Sequence, residues 1–478
     1  MDNTDVIVDE LKRQIITTER ELQRLKTRLA SIETHKNLNK DLELQRKADI
    51  PKWHLLPEEY RRYGRQMIVP NIGIKASSKI VFCSYHWSRR LGCPAAAYLA
   101  GAGVGKIGLV DGDRVEISNL HRQIIHNTST IGMYKVDSAY SNFSLNTFLI
   151  VVSLNPLCEY KAYATPLTPQ NAEQIVSDYD FVLDCTDHPI SRYLISDISL
   201  LLGKTLLSAS ALRGESQLIT LNWPPLPAGN EAGGPCYRCI FPKSPPVESV
   251  VSCGDGGIIG PVVGLMGVLQ AVEALRLLTD EIPLHSVGSK NASIGATMIM
   301  FSANSGLQFR NVRLKGRRKE CMACSNQAML TLEKLKSGKI DYEQFCGMTP
   351  SHTVLLDAKD RLQPDQFARQ QNEGVEYLLV DVREKIQFDI CNLPGSINVP
   401  FSKLQSLCAQ RLKDYEKLEW LPEPLSPHVP IYIICRSGND SQIATRKLKE
   451  MGMRRTVKDI VGGFKAWREI VDPTWPEY

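Results

Sequence analysis

The sequence predicts an α/β protein with two domains, and three observations lead to that prediction. The chain has 478 residues, which is too long for one hydrophobic core, because ~100 to 200 residues per domain is typical. From Leu55 to about Leu314, within a first domain predicted at 50–325, short β-branched or apolar runs such as KIVFC, KIGLVD and FVLDCTD alternate with helical stretches, as in a mostly parallel sheet. A second series, YLLVDVRE, PGSINVP, YIIC and DIVGGFKAW, predicts a smaller α/β domain over residues 351–478, after a polar linker at 326–350.

A helix is predicted in the N-terminal segment, residues 1–48. Its apolar residues follow a four-three spacing, with Leu11, Ile15, Leu22, Leu25, Leu29 and Ile32 at the repeating positions. Such a helix either pairs as a coiled coil or folds onto its own domain, and the pattern leaves both interpretations open.

Composition narrows the classes of function. The net charge of +5 is small for this length and no basic stripe carries interleaved aromatics, so we expect no direct nucleic-acid binding. No run of ~18 apolar residues is present and the start, MDNTDVIVDELKR, is polar, so we expect no membrane association and a cytoplasmic location. The thirteen cysteines are then expected to be reduced thiols that act as ligands and nucleophiles.

Four cysteines have the spacing of a zinc site. Cys236 and Cys239 form one Cys-x-x-Cys pair, and Cys321 and Cys324 form another. Two such pairs are typical of a closed tetrahedral site in which zinc stabilises the fold. The alternative, four unrelated core cysteines, is a poor explanation of the repeated spacing.

Polar residues follow two strands of the first domain. Asp111 ends one strand and precedes Asn119, Arg122, Gln123 and Lys135, while Asp184 and Asp187 follow another strand. Ligands bind beyond the carboxyl ends of such strands, and acidic with basic side chains there suit a nucleoside triphosphate with Mg²⁺. A surface ion-pair network would explain any one of these residues, but not the whole set.

Two further cysteines have a setting that suits reactivity. Cys435 opens the run CRSGNDS, in which successive amides before a helix form an anion nest that is expected to lower the thiol pKa and to hold a persulfide. Cys253 lies among glycines in VVSCGDGG, where its sulfur would be accessible. The alternatives are a small core residue for Cys435 and a buried loop cysteine for Cys253. Asp381 and Arg383 are expected to brace the loop, and Cys346, Cys391 and Cys408 to be ordinary thiols.

The ordered motifs of residues 50–325 resemble a known family. RRYGRQ, DGDRVEISNLHRQ, GMYKVDSA, VLDCTDHPISRY, PCYRC and VVSCGDGG are similar to the ubiquitin-activating-type adenylyltransferases of the ThiF/MoeB group. DVRE, PGSINVP, CRSGNDS and GGFKAW resemble a rhodanese domain. The resemblance implies a Rossmann-like adenylating domain with a structural zinc site, and the pairing is similar to eukaryotic enzymes that activate and sulfurate ubiquitin-like sulfur carriers.

The resemblance also implies roles for single residues. Asp111 would bind the ribose of ATP, Asn119, Arg122 and Lys135 the phosphates, and Asp187 a Mg²⁺ ion. Arg65 would reach the ATP of a partner subunit, which implies a homodimer. The remaining nucleotide-binding positions of the motifs are Gly92, Ser118, Leu120, His121, Gln123 and His188. Cys253 would form a thioester with the carrier, and Cys435 would carry the persulfide that a cysteine desulfurase or another sulfur donor supplies.

Two segments depart from the family pattern. The family has a glycine-rich turn before LGCP, but this chain reads VFCSYHWSRRLGCP, in which only Gly92 remains and Tyr85, His86 and Trp87 would obstruct phosphate. Residues 138–154 read like foreign sequence. These departures predict weak ATP binding, and they fit either a relative that no longer adenylates or wrongly predicted exon boundaries.

The combined prediction is an enzyme that adenylates a sulfur carrier and transfers sulfur to it from Cys435. The resemblance implies two carriers, the small subunit of molybdopterin synthase and the ubiquitin-related modifier that supplies sulfur to tRNA wobble uridine. One alternative is a rhodanese-type sulfurtransferase whose first domain is a nucleotide-free docking scaffold for carriers. Another is a plain ubiquitin-type conjugating enzyme, which the persulfide loop disfavours.

Overall fold

The computed structural model describes most of the chain after residue 54. The described residues are 22, 25, 26, 29, 55–70, 72, 80–84, 91–140, 154–245, 256–279, 296–304, 306–346, 355–406, 420–422, 425–426 and 428–478. Residues 22, 25, 26 and 29 are helical, and the rest of the predicted N-terminal helix lies outside the described residues. The chain divides into a first unit, Met1–Met348, and a second unit, Thr349–Tyr478.

The first unit is built on an eight-stranded sheet with the order β3-β2-β1-β4-β5-β6-β7-β8. Its strands are β1 Ile80–Ser84, β2 Lys106–Val110, β3 Glu159–Tyr163, β4 Phe181–Asp184, β5 Thr205–Leu212, β6 Glu215–Leu221, β7 Thr297–Ser302 and β8 Gln308–Arg313. The five adjacent strands β3, β2, β1, β4 and β5 are parallel to one another. Strands β6, β7 and β8 continue the sheet from β5, and each pairs antiparallel with its neighbour. The parallel half brings the carboxyl ends of β1, β2 and β4 to one edge.

Nine α-helices are described in the first unit between residues 55 and 346. They are α1 Pro57–Met67, α2 Gly92–Gly101, α3 Lys135–Tyr140, α4 Ala172–Val176, α5 Pro189–Leu201, α6 Tyr237–Ile240, α7 Gly260–Thr279, α8 Leu332–Lys336 and α9 Tyr342–Phe345. Helix α1 begins at a proline, and the Glu59 carboxylate accepts the backbone N–H of Leu56 at 2.7 Å. Both features favour a helix start at this point.

Helix α7 is, within the described residues, the one helix long and apolar enough to cross a membrane. It packs against α2, β5 and β6, and Val263, Met266 and Ala274 are completely buried there. The side-chain amide of Gln270 donates to the backbone oxygens of Asp184 and Leu207 at 3.1 and 3.0 Å. These contacts are those of a core helix packed on a sheet.

Residues 326–346, predicted as a polar linker, instead pack on the first unit. They contain α8 and α9, and Thr331 and Asp341 cap these helices by accepting backbone N–H groups. Leu335, Tyr342 and Cys346 are buried. The apolar residues are too widely spaced in this segment for the sequence to show a buried face.

The second unit has a five-stranded parallel sheet with the order β11-β10-β12-β13-β9. Its strands are β9 Arg361–Leu362, β10 Leu378–Asp381, β11 Ile397–Asn398, β12 Ile431–Ile434 and β13 Val457–Ile460. Its helices are α10 Pro364–Asn372, α11 Lys385–Ile390, α12 Phe401–Ser406, α13 Asn439–Glu450 and α14 Gly463–Ile470. Strands β10 and β12 contribute buried side chains to both of its hydrophobic clusters, so the sheet is the centre of the core.

Candidate active sites and metal centre

The end of β2 brings acidic and basic side chains of the first unit together. Asp111 is completely buried, and its Oδ1 accepts the backbone N–H of Asp113 at 2.8 Å. Lys135, at the start of α3, is also buried, and its Nζ lies 3.1 Å from Oδ2 of Asp113. The structure therefore places Lys135 beside this strand end, where a phosphate-binding cation was predicted.

The turn after β2 carries the amide and guanidinium groups of the predicted nucleotide site. Asn119 is buried, and its Oδ1 has no hydrogen-bond partner among the described residues. The Nη1 of Arg122 donates to the backbone oxygen of Ser118 at 2.6 Å and lies 3.2 Å from Nε2 of His121. Gln123 is completely buried, whereas Ser118 and His121 are exposed and Leu120 is half-buried.

The loop after β4 provides the second group of predicted residues. The Asp184 carboxylate accepts the N–H of Thr186 at 2.9 Å and the hydroxyl of Ser208 at 2.7 Å, which fixes the loop. Asp187 and His188 follow and are half-buried. Because only β1 separates β2 from β4, the Asp111 and Asp187 loops follow strands that are about 10 Å apart. A nucleotide spans that distance.

Arg65 lies on a helix that is anchored to the same unit. Nε2 of Gln66 donates to the backbone oxygen of Ala102 at 2.6 Å, and Nδ2 of Asn155 donates to the hydroxyl of Tyr63 at 2.5 Å. These contacts fix α1, while Arg65 itself is exposed. Its action on the nucleotide of a partner subunit stays a prediction.

His126 is a residue of this site that the sequence reasoning missed. It is buried, its Nδ1 lies 2.9 Å from the Ser138 hydroxyl of α3, and its Nε2 has no partner among the described residues. Burial, with a smaller effect from Lys135, lowers the pKa of His126 to about 4. The His126 imidazole is therefore uncharged at neutral pH. No motif in the sequence indicates that this histidine is buried near Lys135.

Gly92 lies within the described residues, whereas Cys253 does not. Gly92 is buried and begins helix α2. The altered turn, residues 85–90, lies outside the described residues, as do most of the residues 138–154 and Cys253.

The four zinc-spaced cysteines come together in the first unit. Their sulfurs all lie within 4.8 Å of one another, with pairs such as Cys236 and Cys239 at 3.8 Å and Cys239 and Cys324 at 3.2 Å. A tetrahedron of Zn–S bonds of ~2.3 Å would set the sulfurs about 3.8 Å apart. The N–H of Arg318 also donates to Cys239 Sγ at 3.3 Å. The donor set and its spacing thus fit a structural zinc ion.

Cys435 lies at the end of β12, in a loop that wraps its sulfur. The Sγ atom accepts the N–H of Gly438 at 3.0 Å and donates to the hydroxyl of Ser441 at 3.4 Å, and the residue is buried. The predicted lowering of its pKa is wrong for the thiol: burial, followed by the charge of Asp440, raises the pKa of Cys435. The amides are visible in the sequence, but the depth of burial is not.

Gly463 and the two residues after it support the Cys435 loop from behind. The N–H groups of Phe464 and Lys465 donate to the backbone oxygens of Cys435 and Arg436 at 2.9 and 3.0 Å. A Cβ on Gly463, whose φ is +58°, would lie 2.1 Å from the Cys435 oxygen. Only glycine permits this approach. The carbonyls of the loop thus point to α14, which leaves its amides for the sulfur.

Asp381 and Arg383 form a buried ion pair, as the sequence predicts. The Nε of Arg383 donates to Oδ1 of Asp381 at 3.0 Å, and the guanidinium lies 4.0 Å from the ring centroid of Phe464. The backbone N–H of Phe464 donates to the Cys435 oxygen, so the Asp381–Arg383 ion pair supports the Cys435 loop indirectly, through Phe464. Cys391 is half-buried and Cys346 is buried; Cys408 lies outside the described residues.

The fold and these sites define a two-domain α/β enzyme of the adenylyltransferase and sulfurtransferase class. The sequence model of the ThiF family matches residues 63–323, and that of the rhodanese-like domain matches residues 363–470. The chain belongs to the ThiF family and carries a rhodanese-like domain in addition.

Full-length relatives are found in fungi. The chain is 48% identical over 496 residues to "Adenylyltransferase and sulfurtransferase uba4" of Pyricularia oryzae, and 49% identical over 500 residues to the protein of that name from Sclerotinia sclerotiorum. Both alignments cover 100% of each chain. The E. coli MccB structure solved with MccA-N7isoASN matches with a TM-score of 0.44 and 16% identity, over 58% of this chain and 77% of that chain. That likeness is too low to add to the assignment.

Proposed function

We propose that this enzyme adenylates the C-terminal glycine of ubiquitin-like sulfur carriers and then converts the adenylate to a thiocarboxylate with sulfur from Cys435. The observation that carries the proposal is the presence of two separate chemical sites in one chain. One is the buried Lys135 beside Asp111 and Asp113, and the other is the amide-lined loop of Cys435. The fungal relatives named for both activities support the same combination.

In the first reaction, a carboxylate oxygen of the carrier attacks the α-phosphorus of ATP. The bond from that phosphorus to the bridging oxygen breaks, so pyrophosphate leaves and an acyl-adenylate forms. Lys135, Asn119 and Arg122 would bind the phosphates, and Asp111 the ribose. A Mg²⁺ ion, which Asp187 would hold, supplies further charge neutralisation at the phosphates. Arg65 of a partner subunit would add a cation, which is the reason to propose a homodimer.

The remaining residues of the proposed nucleotide site frame these groups. They are Gly92, Ser118, Leu120, His121, Gln123 and His188. Gln123 is completely buried beneath the turn, whereas Ser118 and His121 face solvent at its surface. Because Arg122 is tied to Ser118 and His121, this turn is suited to orient the guanidinium toward a nucleotide.

In the second reaction, sulfur replaces AMP on the carrier. Cys253 would take the acyl group as a thioester, and the terminal sulfur of the Cys435 persulfide would attack that carbonyl and release the Cys253 thiolate. Attack by a thiol on the Cys435 sulfur of the acyl disulfide then releases the thiocarboxylate. That thiol is left in a disulfide with Cys435, which a cellular thiol reductant reduces. A cysteine desulfurase or another sulfur donor would reload Cys435.

The proposed biological role follows from the carriers. The ubiquitin-related modifier would deliver the sulfur to tRNA wobble uridine for 2-thiolation, and the molybdopterin synthase small subunit would deliver it to the molybdenum cofactor. We propose a cytoplasmic location for both. Zinc at Cys236, Cys239, Cys321 and Cys324 would stabilise the first unit without entering the chemistry.

ATP–pyrophosphate exchange tests the proposal. With the full chain, Mg²⁺ and a carrier that ends in Gly-Gly, labelled pyrophosphate should enter ATP, and a carrier without its last glycine should abolish the exchange. A nucleotide-free docking scaffold cannot catalyse exchange. Absence of exchange from a protein that still transfers sulfur from Cys435 would therefore favour the scaffold and refute the adenylation step.

A further inference from the structure

Arg238 links the four-cysteine centre to a neighbouring helix. It lies inside the first Cys-x-x-Cys pair, on helix α6, and it is buried. Its guanidinium binds the completely buried carboxylate of Asp197 on α5, with Nε to Oδ1 at 2.9 Å and Nη2 to Oδ2 at 2.8 Å. Its Nη1 also lies 3.6 Å from Sδ of Met322, which follows Cys321. The position of Arg238 therefore depends on how both cysteine pairs are folded.

The same ion pair holds the segment that leads toward the second unit. We call residues 330–346 the strap. The Tyr342 hydroxyl of the strap donates to Oδ2 of Asp197 at 2.9 Å. The Arg238 guanidinium lies 4.5 Å from the ring centroid of Phe345, in a cation–π contact. One buried arginine thus joins the cysteine centre to α9.

Apolar burial holds the rest of the strap. Leu330 packs in one cluster with the four cysteines, and Leu335 is completely buried against the α5 side of the core. Cys346, at the end of the strap, is 2% exposed. The Phe345 ring also packs edge-on to Tyr193, with centroids 4.8 Å apart. The strap is therefore a packed part of the first unit up to Cys346.

We propose that the strap is a zinc-dependent clasp, in which metal at the four cysteines holds Arg238 in place and Arg238 in turn holds α9. Loss of the metal would loosen the two Cys-x-x-Cys turns, because the bonds that hold all four sulfurs in one centre would be lost. Arg238 would then leave Asp197, and an unpaired buried carboxylate would destabilise the packing of α9. The strap would detach before the sheet of the first unit unfolds.

The clasp would set the length of chain between the two units, and this consequence rests on the proposed function. With the strap fastened, residues 347–354 connect Cys346 to Leu355 and span at most about 30 Å. With the strap detached, residues 330–354 could extend over about 90 Å. A shorter connection raises the effective concentration of one site at the other. The fastened clasp would therefore favour the meeting of the Cys435 persulfide with the activated carrier.

Thiol alkylation of the full chain tests the clasp without reference to activity. Zinc is counted by native mass spectrometry before and after treatment with a chelator, and alkylated cysteines are identified by peptide mapping. We expect Cys346 to be protected in the zinc-loaded protein and to react at least tenfold faster after zinc removal. Cys93, which is completely buried at the start of α2, should stay protected. Cys346 that stays protected without zinc, or that opens together with Cys93, would overturn the proposal.

A second test leaves the metal in place. Tyr342→Phe keeps the ring but removes the hydroxyl that binds Asp197, and we expect it to retain zinc and to speed Cys346 alkylation about tenfold, since a hydrogen bond to a charged group is lost. Tyr432→Phe is the matched control, because it removes a hydroxyl bond to Gln370 in the second unit. Equal Cys346 rates in the two zinc-loaded variants would contradict the link. Neither result depends on ATP or sulfur, so failure here leaves the proposed function standing.

Discussion

Lys135 and Asp113 form an ion pair at the mouth of the proposed nucleotide site, with Nζ 3.1 Å from Oδ2. The lysine side chain is almost completely buried, whereas the Asp113 side chain is about one-third exposed. A buried ammonium group is poorly hydrated, so it would gain more from a phosphate than an exposed lysine would. The ion pair thus holds the ammonium group of Lys135 at the end of β2, where it could bind a phosphate.

Replacement of this cation should impair adenylation. We expect Lys135→Met to reduce carrier-driven ATP–pyrophosphate exchange by about 100-fold, because one charge that stabilises the transferred group is removed. Lys161→Met is the control, since Lys161 lies on β3 of the same sheet and forms an exposed ion pair with Asp178. Similar exchange rates in the two variants would show that Lys135 does not face the nucleotide.

The altered turn before Gly92 should weaken ATP binding. Residues 85–87 read Tyr-His-Trp, whereas a Gly-x-Gly-x-x-Gly turn lets backbone amides approach phosphate because it has no side chains at those positions. We expect weak Mg²⁺-dependent ATP binding by calorimetric titration, and at least tenfold tighter binding when a Gly-x-Gly-x-x-Gly turn replaces residues 84–89. Tight binding by the unaltered chain would refute this expectation. Sequencing of the transcript across codons 80–92 and 135–155 would show whether the altered segments are translated.

Arg65 should act on the partner's nucleotide. We expect Arg65→Ala and Lys135→Met to be nearly inactive alone and to regain activity when the two chains are mixed and reassembled. Each mixed dimer has one intact site, so a 1:1 mixture should recover about a quarter of the unaltered activity. Mixing Lys135→Met with Asp111→Asn is the control, because both lesions lie within one subunit's site under this account. No recovery in the first mixture would contradict a role in trans.

Sulfur transfer should depend on Cys435 alone among the described cysteines of the second unit. We expect Cys435→Ser to abolish the persulfide found by mass spectrometry after incubation with a cysteine desulfurase and cysteine. ATP–pyrophosphate exchange should remain within about twofold, because Cys435 lies outside the adenylating unit. Cys391→Ser should retain the persulfide. Persulfide formation in Cys435→Ser would place the sulfur elsewhere.

The rate of Cys435 alkylation should rise late in a pH titration. Burial raises the pKa of this thiol and Asp440 raises it further, so the reactive thiolate should form above the ~8.5 of free cysteine. The stability that comes from the protonated thiol is fully present below the unfolded pKa and is lost as pH rises through the higher folded pKa.

Asp440→Asn should move the alkylation midpoint to lower pH. Asp365→Asn, an exposed change on α10, should not, and a midpoint below 8.5 in the unaltered chain would contradict the assignment.

The sequence predicts much of the fold, because β-branched runs and helical stretches alternate regularly in both units. It does not predict the antiparallel extension β6 to β8, since a strand's direction leaves no trace in its composition. The cysteine pairs could be foreseen because metal-ligand spacing is local. By contrast, His126 meets Ser138 only after α3 folds against the turn, and the partnership of Arg238 with Asp197 joins residues that are far apart in sequence.

Two features were predicted differently from what the structure shows, for one physical reason. The strap was predicted as a linker, and Cys435 was predicted to have a lowered pKa. Both depend on burial by distant residues. Local pattern shows which groups could form hydrogen bonds, but only the packed structure shows how far they are removed from water.

The most direct test of the central claim is the mass of a Gly-Gly carrier after incubation with the full chain, ATP, Mg²⁺, a thiol reductant, a cysteine desulfurase and cysteine. The account predicts a carrier in which one C-terminal oxygen is replaced by sulfur, formed only with ATP and absent with Cys435→Ser. A carrier whose mass is unchanged with all components present, or one that gains sulfur without ATP, would contradict it.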